Sequence, residues 1–221
     1  MLRRCLTFAL FLSLGVPVSL AADEPVADEE GFVSLFDGET LDGWIGAVEG
    51  YAVEDGALVC VPDKGGNLYT EREYADFTLR FDFKLSPGAN NGLGLRAPLE
   101  GDAAYVGMEL QILDDTAEVY AGLQPYQYHG SIYGVVASER GHQNPVGEWN
   151  TQEVTCHGRR VTVVLNGHTI VDADLDEAST PKTVDGADHP GLKRSSGHIG
   201  FLGHGSRVEF RNIRLKDLGG E

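Results

Sequence analysis

The sequence is poor in cysteine and in positive charge, and each shortage excludes a class of protein. Its 221 residues include 3 cysteines, and neither a Cys-x-x-Cys nor a His-x-x-x-His spacing is present to support a structural zinc site. Lysine and arginine number 17 against 34 acidic residues, which gives a formal net charge of -17. Because a surface this acidic repels phosphate backbones and anionic lipids, we expect no nucleic acid or membrane surface among its partners.

Long apolar runs are also scarce. The one present, residues 6–18, follows two arginines and precedes small residues, which is the layout of a secretory signal peptide. We therefore assign residues 1–21 as a signal peptide and expect a periplasmic or secreted protein. The run is too short to favour an uncleaved membrane anchor. Residues 22–30 are acidic and aperiodic, as in a mobile leader, and residues 218–221 form a C-terminal tail.

Residues 31–217 contain no linker rich in proline, glycine or serine near their middle. They are numerous enough to bury one substantial core, which predicts a single domain. Two cysteines remain in this part of the chain, Cys60 and Cys156, each in a strand-like run. An exported protein could join them in a disulfide, but buried free thiols are also common in strands. Both states remain open on the sequence alone.

Alternating apolar and polar residues dominate the chain after residue 50. Residues 77–85 place five apolar side chains on one face of a strand and four polar ones on the other. Similar runs occupy residues 92–96, 160–165, 197–202 and 208–215. A helical period is absent over any window longer than about ten residues. The pattern therefore predicts strands that each border a core on one side.

Turn signals divide these strands. Asn166-Gly167 between two β-rich runs predicts a tight hairpin, and a change of phase near Arg211-Asn212 predicts a bulge. A short helical turn is expected at residues 175–179, inside a long excursion from residue 174 to residue 196. Together the signals predict an all-β fold: a two-sheet antiparallel β-sandwich of the jelly-roll type, with about a dozen strands.

One predicted strand, Met108 to Asp115, carries an unusual pair of polar residues. Alternation directs Met108, Leu110 and Ile112 to the core and places Glu109 and Gln111 on the opposite face. That face is either a ligand surface or an ordinary solvated face of an antiparallel sheet.

The same strand argues against ordinary glycoside hydrolysis. Sugar-cleaving jelly rolls of the laminarinase type carry Glu-x-Asp-x-Glu on such a strand, because retaining hydrolysis needs an acid and a nucleophile. Here the aligned positions are Glu109, Gln111 and Leu113, so one carboxylate remains. Ordinary two-carboxylate hydrolysis is therefore disfavoured, since Asp114 or Asp115 could supply a second acid only if a bulge turned one of them inward.

Several blocks of sequence resemble a known family in order and spacing. They are residues 31–44, 90–96, 109–114, 130–134, 147–150, 197–205 and 208–213. Together these blocks resemble the 3-keto-disaccharide hydrolase domain family over roughly residues 31–217. The last glycine-rich block has Leu202 where that family often has glutamine.

This resemblance implies a concanavalin-like sandwich in an exported protein that acts on glycosides whose C3 hydroxyl has been oxidised to a ketone. The ketone acidifies the C2 hydrogen, so one base can remove that proton, the C1 oxygen can leave by elimination, and water can then add. The chain has no nucleotide-binding fingerprint, so a separate sugar 3-dehydrogenase is expected to supply the substrate.

The resemblance assigns catalysis to residues within its blocks. Glu109 is expected as the base, or as a ligand to a divalent metal ion that polarises the ketone. Arg96 is expected to stabilise the enolate, although it could instead be a structural clamp or simply pair with Glu109. His204, between two glycines, is the second candidate base or metal ligand.

Substrate contacts are expected from Gln111, Tyr133, Asp114 and His129. Tyr126 and Tyr128 could stack on a sugar ring, whereas Trp44 and Trp149 are expected in the core. The alternative function is a non-catalytic, lectin-like carbohydrate-binding module that uses the same face.

Overall fold

The computed structural model describes residues 31–219, so the predicted signal peptide (1–21), the predicted leader (22–30) and residues 220–221 lie outside the described residues. Thirteen strands pair antiparallel throughout and form two sheets that pack face to face. The strands are β1 (Val33–Ser34), β2 (Trp44–Gly46), β3 (Tyr51–Glu54), β4 (Ala57–Cys60), β5 (Gly66–Tyr74), β6 (Phe77–Leu85), β7 (Asn90–Ala97), β8 (Met108–Leu113), β9 (Trp149–His157), β10 (Arg160–Leu165), β11 (His168–Asp174), β12 (Gly197–Gly203) and β13 (Val208–Asp217). The predicted two-sheet sandwich is therefore confirmed.

The eight-stranded sheet has the order β11-β10-β9-β6-β13-β4-β3, with β1 paired to β13, and the five-stranded sheet has the order β2-β5-β12-β7-β8. Neighbouring strands are distant in sequence at several places, so the sheets depend on long-range pairing. Within residues 31–219, no helix is long and apolar enough to span a membrane.

The individual strand predictions agree closely with the structure. The predicted strands 77–85 and 160–165 match β6 and β10 residue for residue. Asn166 and Gly167 both have positive φ, at 50° and 85°, and connect β10 to β11 as a two-residue hairpin. The expected bulge near Arg211-Asn212 is also confirmed, because the β6–β13 register shifts between Arg211 and Arg214.

Aromatic side chains fill the space between the sheets. Phe201 of β12 stacks on Phe210 of β13 with ring centroids 3.8 Å apart, and Phe81 of β6 meets Phe201 edge-on at 5.8 Å. These contacts join the two sheets, because β12 belongs to one and β6 and β13 to the other. The main core therefore lies between the layers, as the alternating pattern predicts.

Between residues 31 and 219, helical structure is confined to short turns in the connections. Helix α1 (Ala103–Val106) lies between β7 and β8, and helix α2 (Leu175–Ala178) confirms the predicted turn after β11. The excursion that follows α2 contains a 3-10 turn at Pro190–Lys193 and otherwise has no regular element before β12.

The structure decides the expectations for the two cysteines and the two tryptophans. Cys60 and Cys156 are both buried and free, so the thiol state holds and the disulfide does not form. Trp44 is buried as expected, but the expectation for Trp149 is wrong. Its ring is half-buried and lies beside two cations, Arg211 at 4.0 Å and Lys84 at 4.8 Å, because it begins β9 on the outer face of the larger sheet.

Candidate functional site

The candidate site lies on the outer face of the five-stranded sheet, the face turned away from the main core. Met108, Leu110 and Ile112 of β8 belong to that core, so alternation directs Glu109 and Gln111 outward. A second, smaller apolar cluster covers part of this outer face, formed by Tyr69, Ala97, Ala103 and Leu202. The face is therefore partly enclosed rather than open to water.

One row of residues crosses the sheet at Glu109. The cross-strand partners run from Tyr69 on β5 to Gly200 on β12, then to Gly94 on β7 and to Glu109 on β8. The two middle positions are glycines, and the side chain of Leu202 covers Gly94, where a Cβ atom would lie 3.3 Å from Leu202 Cδ2. The registers of four strands thus bring Tyr69 and Glu109 to one surface.

The glycines make room for the side chains beside them. A Cβ atom on Gly200 would lie 3.0 Å from Tyr69 Cε1, and one on Gly94 would lie 3.5 Å from the same atom. A Cβ atom on Gly92 would lie 2.7 Å from Glu109 Cδ. Tyr69 therefore lies over the backbone of Gly200 and Glu109 over that of Gly92, in space that a larger residue at either glycine position would fill.

Glu109 is buried, at 8% exposure, and within residues 31–219 no hydrogen-bond or ion-pair partner reaches its carboxylate. Burial raises the pKa of Glu109 to about 7, and the negative charge of Asp102 contributes to the same shift. A carboxyl group whose pKa is near neutral pH, and which has no hydrogen-bond or ion-pair partner, is suited to accept and return a proton.

Two tyrosines, Tyr69 on the same row and Tyr133, whose backbone bonds to that of Glu109, each keep a hydroxyl proton available. Tyr69 Oη accepts a hydrogen bond from Asn67 Nδ2 at 3.1 Å. Tyr133 Oη accepts one from Gln127 Nε2 at 2.9 Å, and the Tyr133 backbone N–H donates to the Glu109 carbonyl at 2.9 Å. Because each hydroxyl is an acceptor in these bonds, its O–H can donate to a ligand.

Gln111 lies on the same face, two residues beyond Glu109. Its Nε2 donates to Asn90 Oδ1 at 2.7 Å, and the two strands pair Gln111 with Gly92. The structure therefore brings together three of the residues expected from sequence, Glu109, Gln111 and Tyr133.

His204 follows β12 directly and is exposed. Packing of the surrounding chain still lowers its pKa, and the Asp102 carboxylate opposes that shift. Asp102 therefore acts electrostatically on both Glu109 and His204. It is fixed in place as the N-cap of α1, where its Oδ1 accepts from the Ala104 N–H at 3.1 Å.

Arg96 does not belong to this site, which corrects the expectation that it stabilises an enolate. Its φ of 47° lies where β7 and β12 change register, and this irregularity directs the side chain away from the Glu109 face. Arg96 is 1% exposed and forms an ion pair with Asp76 at 2.9 Å. It also donates to the carbonyls of Ala75 and Gly158, each at 2.9 Å. The structure therefore shows a clamp.

Asp114 and His129 also hold structural positions, so the substrate contacts expected of them are not found. Asp114 accepts hydrogen bonds from Thr116 and from the Gly88 N–H, and so ties two loops together. His129 is 2% exposed, and its ring lies 4.9 Å from that of Phe83 in the core. Burial lowers the pKa of His129 to about 4, so the ring is neutral.

The expected metal ligands do not form a metal-binding set. Within residues 31–219, no group of three or more histidine, cysteine, aspartate or glutamate side chains is close enough to hold an ion. Glu109 and His204 alone do not supply the ligand number of a tightly bound divalent metal.

Tyr69 and Asp102 were not identified from the sequence. Tyr69 occupies a strand with no motif of its own, and Asp102 is one of 34 acidic residues. The glycines at positions 94 and 200 are the one sequence signal for this part of the site, because glycine inside a strand often marks a close approach of another group. Only the strand order shows that these two glycines are neighbours.

Comparisons with known proteins identify the family and the structures that this chain resembles. The model of the family described as a 3-keto-alpha-glucoside-1,2-lyase-like domain matches residues 31–216. A "3-keto-disaccharide hydrolase" of Bacteroides thetaiotaomicron is 27% identical over 86% of this chain and 80% of its own length. A crystal structure from Parabacteroides distasonis, assigned provisionally as a glycosyl hydrolase, is 30% identical and covers 85% of this chain and 99% of its own, with a TM-score of 0.75.

A more distant likeness concerns the fold alone. A carbohydrate-binding module from Bacillus subtilis is 14% identical, covers 79% of this chain and 96% of its own, and has a TM-score of 0.51. Sandwiches of this kind carry different functions on the same scaffold, so the site and not the fold must decide between them.

Proposed function

The chain belongs to the family of 3-keto-alpha-glucoside-1,2-lyase-like domains, and from this membership we propose that it cleaves 3-keto-glycosides by elimination followed by hydration. Membership and the similar glycosyl hydrolases support a carbohydrate-active role. The substrate, the mechanism and the roles of individual residues are our proposal.

The observation that carries the proposal is the state of Glu109. A buried carboxylate with a pKa of about 7 and no partner within the described residues contributes little to stability. A group of this kind is costly to bury and is typical of catalytic sites. It meets the one strict demand of the elimination, which is a base that works near neutral pH.

The reaction balances with this single base. Glu109 removes the proton from C2, and the electron pair moves onto the C3 oxygen as an enolate. The enolate then re-forms the ketone, the C1–C2 double bond forms, and the C1–oxygen bond to the leaving group breaks. Water next gives one proton to the leaving oxygen, relayed by His204, and adds its hydroxyl at C1, while protonated Glu109 returns its proton to C2.

Two tyrosines and a histidine are proposed to support these steps. The O–H groups of Tyr69 and Tyr133 are proposed to stabilise the enolate oxygen as neutral hydrogen-bond donors, the role that the resemblance suggested for Arg96. His204 lies near the same acid, Asp102, and is the group proposed to deliver a proton to the leaving oxygen.

We further propose that the protein acts in the periplasm or outside the cell, since residues 1–21 have the layout of a signal peptide. Its substrate requires prior oxidation at C3, a reaction of the class that a separate sugar dehydrogenase performs. Gln111 is proposed to contact a sugar hydroxyl.

The direct test uses the chain without residues 1–21 and a 3-keto-glucoside, with release of the leaving group as the readout. We expect release by the wild-type protein, a primary isotope effect with substrate deuterated at C2, and a loss of about 10²–10⁴-fold in Glu109→Gln. The matched control is Glu100→Gln, an exposed glutamate on the loop after β7, which should retain full activity.

The same experiment separates the alternative function. Binding of sugars without release would identify a lectin-like module that lacks a competent base. Full activity in both Glu109→Gln and His204→Ala would leave the reaction class standing but overturn the site.

A further inference from the structure

Three half-buried tyrosines gather beside the Glu109 site. They are Tyr105, Tyr126 and Tyr133, and they come from different segments of the chain. Tyr105 lies in α1, and Tyr126 lies in a 3-10 turn at Pro125–Gln127. Most other tyrosines of this protein are buried in its cores, so this partly exposed cluster is a distinct feature.

The rings hold a defined arrangement. Tyr126 and Tyr133 meet edge to face, with centroids 6.3 Å apart and an interplanar angle of 83°. Gln127, the neighbour of Tyr126, donates its side-chain hydrogen bond to the Tyr133 hydroxyl. Tyr105 lies beside Tyr133, because its ring packs on that of His189, and His189 Nε2 is 2.8 Å from where a Cβ atom of Gly134 would stand. The cluster is continuous with the candidate site through the Tyr133 N–H, which donates to the Glu109 carbonyl.

The long excursion between β11 and β12 holds Tyr105 in place through His189. The ring of His189 lies 4.8 Å from that of Tyr105, at an interplanar angle of 30°. His189 is buried, with Nδ1 3.1 Å from the Ala104 carbonyl and Nε2 2.9 Å from Asp185 Oδ2. Bonding at both ring nitrogens holds the imidazole in one orientation, and therefore also the tyrosine packed on it.

The chemistry of this surface favours a second sugar ring over a purely apolar group. Aromatic faces bind the C–H face of a pyranose, while tyrosine hydroxyls and nearby carboxylates bind its hydroxyls. Tyr105 also lies near the acidic residues Asp102 and Asp185. A hydroxylated and uncharged ring satisfies both parts of such a surface.

We propose that Tyr105, Tyr126 and Tyr133 form a subsite for the leaving sugar of a disaccharide substrate, next to the position at which Glu109 reacts. This inference rests on the proposed function, because it names which part of that substrate the tyrosines bind. Tyr126 is the member to test, because no side-chain hydrogen bond of the described residues depends on its hydroxyl.

The first measurement compares kcat/KM for a 3-keto-disaccharide with that for a methyl 3-keto-glucoside. Tyr126→Ala should lower the value for the disaccharide about tenfold more than that for the methyl glycoside. Tyr126→Phe keeps the aromatic face and should behave as wild type. Val119→Ala, at a 76% exposed position nearby in sequence, controls for the loss of an apolar side chain.

The second measurement does not need catalysis. Saturation-transfer NMR with the unoxidised disaccharide should show contact with the wild-type protein and a weaker signal with Tyr126→Ala. Absence of release from every keto-glycoside would overturn the proposed function, and a Tyr126-dependent signal would still support the subsite. Equal effects of Tyr126→Ala on both substrates, or no contact of the disaccharide with the wild type, would overturn the subsite.

Discussion

The side chain of Glu109 occupies the space above Gly92 on the neighbouring strand, where a Cβ atom would lie 2.7 Å from Glu109 Cδ and 2.9 Å from its Cγ. Glycine at position 92 is therefore a condition for the observed position of the carboxylate. This relationship connects the glycine-rich sequence of β7 to the chemistry proposed for β8, and it can be tested directly.

Gly92→Ala should reduce activity strongly while the protein remains folded. The backbone at Gly92 is extended, and the atoms in conflict belong to the Glu109 side chain, so the new methyl group displaces the carboxylate and not the strand. A displacement of about 1 Å can cost about 10²-fold in rate. Steady-state kinetics and circular dichroism would measure the two effects.

The matched control for that variant is Gly122→Ala, where a Cβ atom meets nothing within 4 Å. It should have wild-type activity. Wild-type activity in Gly92→Ala itself would show that the position of the carboxylate does not matter to the reaction.

The rate should depend on pH through Glu109. A base whose pKa is about 7 is protonated and inactive below that pH, so kcat/KM should rise with pH through about 7 and then level off. The profile should be measured with a 3-keto-glucoside between pH 5 and 9, a range over which the fold must first be shown to persist. A midpoint near 4.5, the ordinary value for glutamate, would contradict the enclosed environment described for this residue.

Glu109→Gln should stabilise the protein at alkaline pH. Glu109 has a raised pKa in the folded state, so its contribution is most favourable below pH 4.5 and is lost as pH rises through about 7. Above pH 8, the buried charge therefore costs about 3 kcal/mol. The neutral amide removes that cost.

Urea unfolding at pH 4.5 and pH 8 would measure this effect in the wild type and the variant. The difference in the free energy of unfolding between them should increase by about 3 kcal/mol from the lower to the higher pH. A difference that does not change with pH would mean that the carboxylate is well solvated.

Arg96→Lys should destabilise the fold without a specific effect on catalysis. Lysine cannot reproduce the set of bonds from one planar guanidinium to Asp76 and the carbonyls of Ala75 and Gly158. We expect a loss of about 3 kcal/mol in the free energy of unfolding, with kcat of the folded fraction unchanged. Arg160→Lys alters an exposed ion pair with Asp172 and should change stability little. A fall in kcat for folded Arg96→Lys would return Arg96 to the reaction.

Local patterns of the sequence were sufficient for the strands and for the direction of Glu109. Alternation has a period of two residues and depends on neighbours along the chain, so β6, β10 and the outward pair on β8 follow from it. The turn at Asn166-Gly167 follows equally, because both residues accept positive φ readily.

The composition of the site depended on contacts between distant segments. Arg96 follows two core-directed leucines in simple alternation, yet positive φ at that residue turns its side chain away from Glu109. His129 precedes a glycine that suggests a loop, but its ring packs beside Phe83 in the core. Neither outcome can be derived from period and composition.

The sequence by itself determined the sandwich, the single outward acid of β8 and the shortage of positive charge. Tertiary structure alone decided which groups surround that acid. Tyr69 lies 40 positions before Glu109 in the chain, and the two share a surface only because β12 and β7 pair between their strands through glycines. Strand order and register are set by burial of the whole core, and this non-local free energy is not encoded in any one segment.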